Sequence, residues 1–483
     1  MKAIFLLLIL SVVSSNSFAQ QPIKLLEENP HYFEYQGKPL ALVTSAEHYG
    51  ALVNGDFDFE GYLKTLHAEG MNYTRIFMGS YFEIPGLSFG IKNNSLAPQP
   101  GKAISPWKTV EEDGQIKYDW SSYNPDYFER LHAFMRLASE LDIIIEATFF
   151  SSIYRDEHWE INPQNPKNRI NSEGSLDRKM AHTKENGELL GLQKAYVRKL
   201  VKELNEYDNF FFEIQNEPWS DRGISALNIA NKYQVDGPNW MEEVDLADQL
   251  AMDWQEEIAL TIVNTEKDLP KKHLIAQNYS NFKAPLSDIP PHVSILNFHY
   301  NWPESAEWNY HLNRVIGFDE SGFAGNEDLV YRRQAWAFML SGGGLFNNLD
   351  YSFYAGEETG KGKNEAPGGG SYAYRSQLKI LSDILNSMDL KTTHPATDQI
   401  ISSPGLLSFA LADENSILVY LVEAGKRSSF VKLKIANGEY EILSIDTLSG
   451  EKKAIGTFEV TDSELVITSN LSFGEQAFLI TKK

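Results

Sequence analysis

Two short segments hold residues whose types and spacing could do chemistry. The first is Phe210-Phe211-Phe212-Glu213-Ile214-Gln215-Asn216-Glu217-Pro218-Trp219, an apolar run that ends in a carboxamide, a carboxylate and a proline. Proline lacks the ladder donor and so closes a strand just beyond Glu217. The second is Arg314-Val315-Ile316-Gly317-Phe318-Asp319-Glu320-Ser321-Gly322, again an apolar run ending in a carboxylate. Two carboxyl groups brought together can divide the labour of breaking a glycosidic bond with retention. One protonates the leaving oxygen and then activates water, while the other attacks the anomeric carbon, and the two must stand about 5 to 5.5 Å apart. Proximity also separates their proton affinities, because the ionised attacker raises the pKa of the acid. Glu217 and Glu320 are the candidates for these two roles. Strand alternation adds two geometric demands. Glu213, Gln215 and Glu217 share a face, so Asn216 joins Glu217 in one lumen only where the strand end is bulged. Asp319 and Glu320 point to opposite sides, which leaves one of them facing the lumen.

Such groups meet only in a fold that gathers strand ends. The 483 residues exceed what one core fills, so two domains are expected after a leader: residues 21–393 and residues 394–483. Between Leu40 and Leu390, short apolar runs alternate with longer amphipathic ones, the pattern of repeated βα units. The eight runs are Leu40–Ser45, Tyr73–Met78, Ile143–Phe150, Phe210–Gln215, His273–Asn278, Ile295–Tyr300, Arg314–Asp319 and Leu345–Asp350. Most are near-continuously apolar, as strands buried on both faces should be. Helices are expected at Phe59–Glu69, Pro125–Leu141, Leu246–Thr265, Asp328–Leu340 and Tyr374–Met388, with a further stripe at Leu192, Tyr196, Leu200 and Leu204. Eight units point to a (β/α)8 TIM barrel, whose chemistry sits at the C-terminal strand ends, with long insertions at Ser80–Tyr123, Ile153–Glu188 and Trp219–Val244. A doubly wound open sheet competes, but no Gly-rich phosphate turn follows the first run. After His394-Pro395 the pattern becomes short alternating segments between Gly, Asn and Ser turns, which predicts a small all-β sandwich that braces the barrel.

Composition narrows the partner. A formal charge of −23 disfavours nucleic acid and anionic lipid and leaves a neutral glycan as the better match. With no cysteine, disulfides, thiolate metal sites and a cysteine nucleophile are excluded. Lys2, the apolar run Ala3–Val13 and Ser17-Phe18-Ala19 read as a signal peptide over residues 1–20, which predicts export to the periplasm or beyond. No later run is long enough to insert in a membrane. Asp56-Phe57-Asp58-Phe59-Glu60 is read as the acidic opening of a helix rather than a calcium loop, and neither metal nor cofactor is expected.

Asn216-Glu217-Pro218 closing a fourth strand, with Glu320 closing a seventh, resembles the signature of clan A glycoside hydrolases, including the cellulase-like family 5. The resemblance spans the barrel in unit order. Tyr331-Arg332-Arg333-Gln334-Ala335-Trp336-Ala337-Phe338-Met339-Leu340-Ser341-Gly342-Gly343-Gly344 and the opening Tyr32-Phe33-Glu34-Tyr35-Gln36-Gly37-Lys38-Pro39 are similar to the apiosidase-like branch. The resemblance implies a retaining hydrolase of β-linked glycans, with Glu217 as acid/base, Glu320 as nucleophile and Asn216 bonding the sugar 2-hydroxyl. It also implies that Arg75 keeps the nucleophile ionised, a buried arginine for which Glu320 or Glu146 could be the partner. His299-Tyr300 stands where the family carries His-x-Tyr. No histidine closes the third strand at Phe149-Phe150-Ser151, and the eighth ends in Asn347-Asn348-Leu349-Asp350-Tyr351 without the usual tryptophan. Those departures argue against a standard cellulase. Trp219, Trp302 and Tyr351 are candidate sugar contacts, as are Trp159, Trp240 and Trp308, although each could equally be loop packing. The rival reading is a glycan-binding protein on a barrel that no longer turns over.

Overall fold

Eight runs with apolar residues on both faces become eight fully buried parallel strands. The computed structural model describes residues 21–87, 89–170, 172–227, 243–424, 430–469, 471 and 474–483. Residues 1–20, read above as a signal peptide, and Trp240 lie outside the described residues. The strands are β1 (Leu42–Ala46), β2 (Tyr73–Phe77), β3 (Ile144–Ser151), β4 (Phe210–Asn216), β5 (Ile275–Asn281), β6 (Ile295–His299), β7 (Val315–Ser321) and β8 (Leu345–Leu349). Their hydrogen-bonded order is β1-β8-β7-β6-β5-β4-β3-β2, a TIM barrel. No backbone ladder joins β1 to β2. Asn72 bridges that seam instead, its Oδ1 accepting from the Val43 amide at 2.9 Å and its Nδ2 donating to the Ala41 carbonyl at 3.0 Å.

The outer helices start where the sequence provides caps. Asp58 accepts from the Gly61 amide at 3.1 Å, which confirms the helix-opening reading of that acidic run, and Asp248 accepts from Ala251 at 2.9 Å. Ser371 Oγ accepts from Tyr374 at 3.0 Å, and Asn124 precedes a proline in the first turn of Pro125–Glu140. The helix Asp328–Leu340 has the bounds read from the sequence. Among the described residues no helix is long and apolar enough to cross a membrane.

The lumen is layered. At the bottom, each strand contributes one residue to an apolar plug: Leu42, Tyr73, Ile144, Phe211, Ala276, Ile295, Val315 and Leu345. Above it the filling turns polar, with Arg75, Glu146, Glu213, Asn278, Asn297 and Asp319 all at or near zero exposure. Above these the strand ends open into a cavity. From His394 onward the chain forms a six-stranded and a three-stranded antiparallel sheet, the predicted all-β region, with its own apolar interior of residues such as Val431, Ile442 and Phe478. One face of the larger sheet packs on the helix Asp328–Leu340, where Trp336 stacks on Tyr420 at 5.2 Å. Phe409, Leu418 and Tyr420 belong to the same continuous core as the barrel.

Candidate active site

The strand ends bring together residues that the sequence separates by up to 271 positions. Arg75, from β2, donates from Nε and Nη2 to the two oxygens of Glu213 at 2.7 and 2.8 Å, a bidentate pair. Its Nη2 also donates to Asn216 Oδ1 at 2.8 Å, and its Nη1 reaches Glu320 Oε2 at 3.3 Å. The guanidinium lies over the Tyr49 ring, 4.6 Å from its centroid. Arg75 thus has Glu213 as its principal carboxylate, a partner that sequence reasoning missed. Glu320 is a longer contact, and Glu146 is turned to the Tyr73 hydroxyl and to Asn297 Nδ2, the latter at 2.7 Å.

Glu320, from β7, accepts from the Tyr49 hydroxyl at 2.8 Å and the Tyr300 hydroxyl at 2.7 Å. Glu217, just past β4, accepts from the Tyr154 hydroxyl at 2.7 Å, and its other oxygen lies 3.0 Å from His299 Nδ1. One oxygen of Glu217, one oxygen of Glu320 and a ring nitrogen of His299 fall within 4.8 Å of one another. Asn216 Nδ2 donates to Tyr154 Oη at 2.7 Å, so the carboxamide sits in the same lumen as Glu217.

Alternation fails at both segments, and the failure builds the site. Glu213 and Asn216 both meet Arg75, whereas Gln215 turns away to Asp221 at 2.9 Å. Pairing with β5 stops after Glu213, which frees the strand end from its pleat, and the register with β3 shows no bulge there. Glu217 completes the turn in the left-handed region, φ 48°, ψ 53°. The predicted bulge is therefore replaced by a lost ladder and a left-handed residue. On β7 the expectation that only one of Asp319 and Glu320 faces inward is wrong. Asp319 Oδ2 lies 3.5 Å from Arg75 and 3.4 Å from His299, while Glu320 also reaches Arg75. Register shifts against both β6 and β8 in this stretch cancel the alternation.

His48, Tyr49, Phe77, Tyr81, Glu83, Phe89, Leu96, Ser151, Tyr154, Asn216, Glu217, Tyr300, Glu320 and Phe323 line a narrow cavity of about 40 Å³. Five of these, Tyr49, Phe89, Glu217, Tyr300 and Phe323, hold positive φ. Such a conformation costs a side-chain-bearing residue about 1–3 kcal/mol and concentrates at functional sites. The left-handed turn at Tyr300 lets His299 and Tyr300 reach Glu217 and Glu320 although they are adjacent in sequence. Trp219 stands edge-on to His299 with centroids 5.2 Å apart. Trp302 does not line the cavity and packs with Val244 and Phe282. Tyr351 lies behind His48, with centroids 5.7 Å apart. Trp159 is buried with its Nε1 donating to the Leu176 carbonyl at 3.1 Å, and Trp308 is exposed on a short helix. Tyr49 and Tyr154 were missed by sequence reasoning. Their signal is position alone, an aromatic hydroxyl three residues past the end of β1 and of β3.

The charges are unevenly matched. Burial pushes Glu217 up, but hydrogen bonds from His299 and Tyr154 and the charge on His299 outweigh it and hold the carboxyl below its usual range. Burial would lower His299, yet Asp319 and Glu320 raise it well above the ordinary histidine value. The free site thus inverts the simple expectation of a raised acid, because an imidazole whose charged form is favoured by Asp319 and Glu320 stands beside both glutamates. Glu146 is raised, first by burial and then by Glu213 and Asp319. By distance, Glu217, His299 and Glu320, or Glu146, Glu213 and Asp319, could surround a cation. Arg75 already supplies positive charge to Glu213 and Asp319.

No family model matches the chain, and no curated protein matches it by sequence. Solved structures do match it in shape. A glycoside hydrolase superposes with a TM-score of 0.63 at 12% identity, covering 96% of this chain and 97% of that one. A glycoside hydrolase family 5 structure from Bacteroides vulgatus gives 0.60 at 11% identity, with coverage of 95% and 93%. The fold is that of the glycoside hydrolase barrels. The coverage takes in the antiparallel sheets as well as the barrel, so the fold is shared as a whole.

Proposed function

We propose that the protein is a retaining glycoside hydrolase acting on β-linked poly- or oligosaccharides. The observation that carries this reading is the approach of the Glu217 and Glu320 oxygens to within 4.8 Å at the ends of β4 and β7. That spacing suits direct attack; inversion needs room for a water, with carboxyl groups about 6.5–9.5 Å apart. Glu320, kept ready by Arg75, Tyr49 and Tyr300, attacks the anomeric carbon. Glu217 protonates the departing oxygen and then deprotonates the water that releases the sugar. The 3.0 Å contact from His299 Nδ1 to Glu217 is the path by which a proton held by the imidazole reaches the acid. As Glu320 loses charge in forming the glycosyl bond, the field that favours the imidazolium weakens and the proton is passed on. Asn216, pinned by Arg75, is placed for the sugar 2-hydroxyl. The signal peptide puts this chemistry outside the cytoplasm.

The test is labelling with activated 2-deoxy-2-fluoro β-glycosides followed by peptide mass mapping. A stable adduct on Glu320 is expected; an adduct on another residue overturns the assignment. Glu217→Ala should lose about 10²–10⁴-fold in kcat on glycosides with poor leaving groups and far less on those with good ones. Glycan binding without turnover by the unmutated protein would favour the binding-protein reading.

A further inference from the structure

His48 and Glu83 also line the cavity that holds Glu217 and Glu320, and the mechanism above uses neither. They come from the loops after β1 and β2, which are held together. Gly50 packs so closely on Ser95 that an added Cβ would lie 2.1 Å from its carbonyl carbon, and Glu47 accepts from the amides of Gly50 and Ala51 and from the Ser95 hydroxyl. Asn94, on the same loop, donates to Glu83, and the Tyr81 hydroxyl lies 3.4 Å from it. His48 is 7% exposed, yet neither ring nitrogen has a hydrogen-bond partner among the described residues. The nearest carboxylate oxygen is Glu83 Oε2 at 3.5 Å, an ion-pair distance. The His48 ring stacks on Tyr49 with centroids 5.4 Å apart, and the Tyr49 hydroxyl touches Glu320. Burial would lower the histidine, but Glu83, Glu320 and Glu47 hold it above its usual value.

A buried donor without a partner is costly, so a ligand that satisfies it gains correspondingly. Resting on the glycosidase reading, we propose that His48 and Glu83 are a substrate-recognition pair that takes neighbouring hydroxyls of the sugar ring facing Glu320, the imidazole donating and the carboxylate accepting. Glu83 already pairs the charge that His48 can carry, and Glu217 and Glu320 repel a sugar that carries its own anion. The pair therefore selects a neutral glycone and rejects a uronic acid.

Two readouts separate this proposal from the reaction itself. In protein with 13C-labelled histidines, the His48 ring signal is identified by its loss in His48→Gln and followed during titration with methyl β-glucoside, mannoside, galactoside, xyloside and glucuronide. At least one neutral glycoside should shift the signal and the glucuronide should not. In Glu83→Gln, shown by its melting curve to be folded, affinity for that neutral glycoside should fall about 10- to 100-fold and its preference over the glucuronide should shrink. The same change in ratio is expected in the rate of labelling by the matching 2-fluoro glycosides. Tight binding of the glucuronide, unchanged neutral affinity in both variants, or no binding by any of the five overturns the proposal. Binding that follows the predicted pattern without any adduct on a glutamate leaves the recognition pair standing and removes the hydrolase reading.

Discussion

Arg75 in the barrel mouth and Arg332 at the junction with the antiparallel sheets are both buried beside carboxylates, but the two neighbourhoods are built on opposite plans. At the junction one carboxylate, Glu475, accepts from Arg332 at 2.6 Å, from Arg333 at 3.0 Å, and from Tyr420 and Thr447. Four donors thus converge on one carboxylate, and positive charge is in excess. In the mouth, Arg75 and His299 face Glu146, Glu213, Glu217, Asp319 and Glu320, and His299 Nε2 and Asp319 Oδ1 have no hydrogen-bond partner among the described residues. Left-handed backbone at Tyr49, Glu217 and Tyr300 adds strain there. The junction is organised for stability. The mouth holds a charge imbalance that the rest of the barrel must support, which is what the proposed acid and nucleophile in one cavity would require.

Mutations can break this contrast. Glu320→Gln should abolish turnover by more than about 10⁴-fold while leaving the melting temperature unchanged or higher, since it removes one of several like charges. A fall in stability as large as that in activity would show the mouth to be structural. Glu475→Gln should do the reverse, losing about 3–5 kcal/mol in denaturant unfolding because the buried Arg332 and the partly exposed Arg333 lose their shared anion, with kcat of the folded protein preserved. Glu146→Gln should cost less than about 1 kcal/mol, because burial and the neighbouring Glu213 and Asp319 push that carboxyl up, towards the neutral form that glutamine resembles.

The smallest effects concern pH. His299 is raised in the folded protein, so its contribution to stability is complete below the ordinary value of 6.5 and is lost as pH rises through the raised one. Outside the mouth, His31 stacks on Tyr310 at 3.6 Å and burial lowers it to about 4, so its contribution is present above 6.5 and is lost as pH falls towards 4. Urea melts across pH should show His299→Gln flattening the alkaline limb and His31→Gln the acid limb. The same limb responding to both would contradict the assignment of the two environments.

Much of the frame was legible because strands buried on both faces and helices with caps are written locally. All eight strands lie within three residues of the runs read from the sequence. Glu217 and Glu320 were legible for the same reason, each being a carboxylate that closes an apolar run. Their surroundings were not. Trp302 looked like a sugar platform because tryptophan in a loop is ambiguous, and only its packing against Val244 and Phe282 removes it from the cavity.

The sequence by itself therefore determined the (β/α)8 order, the β-rich end and the two strand-end glutamates, since these depend on residue type and on spacing along one segment. The tertiary structure decided that Arg75 pairs with Glu213, that Asp319 and Glu320 both face inward, and that Tyr49 and Tyr154 hold the two glutamates. The physical reason is that the facing of a side chain at a strand end depends on register with neighbouring strands. Those neighbours are distant in sequence, and the shifts and left-handed residues that re-aim the side chains have no local signature.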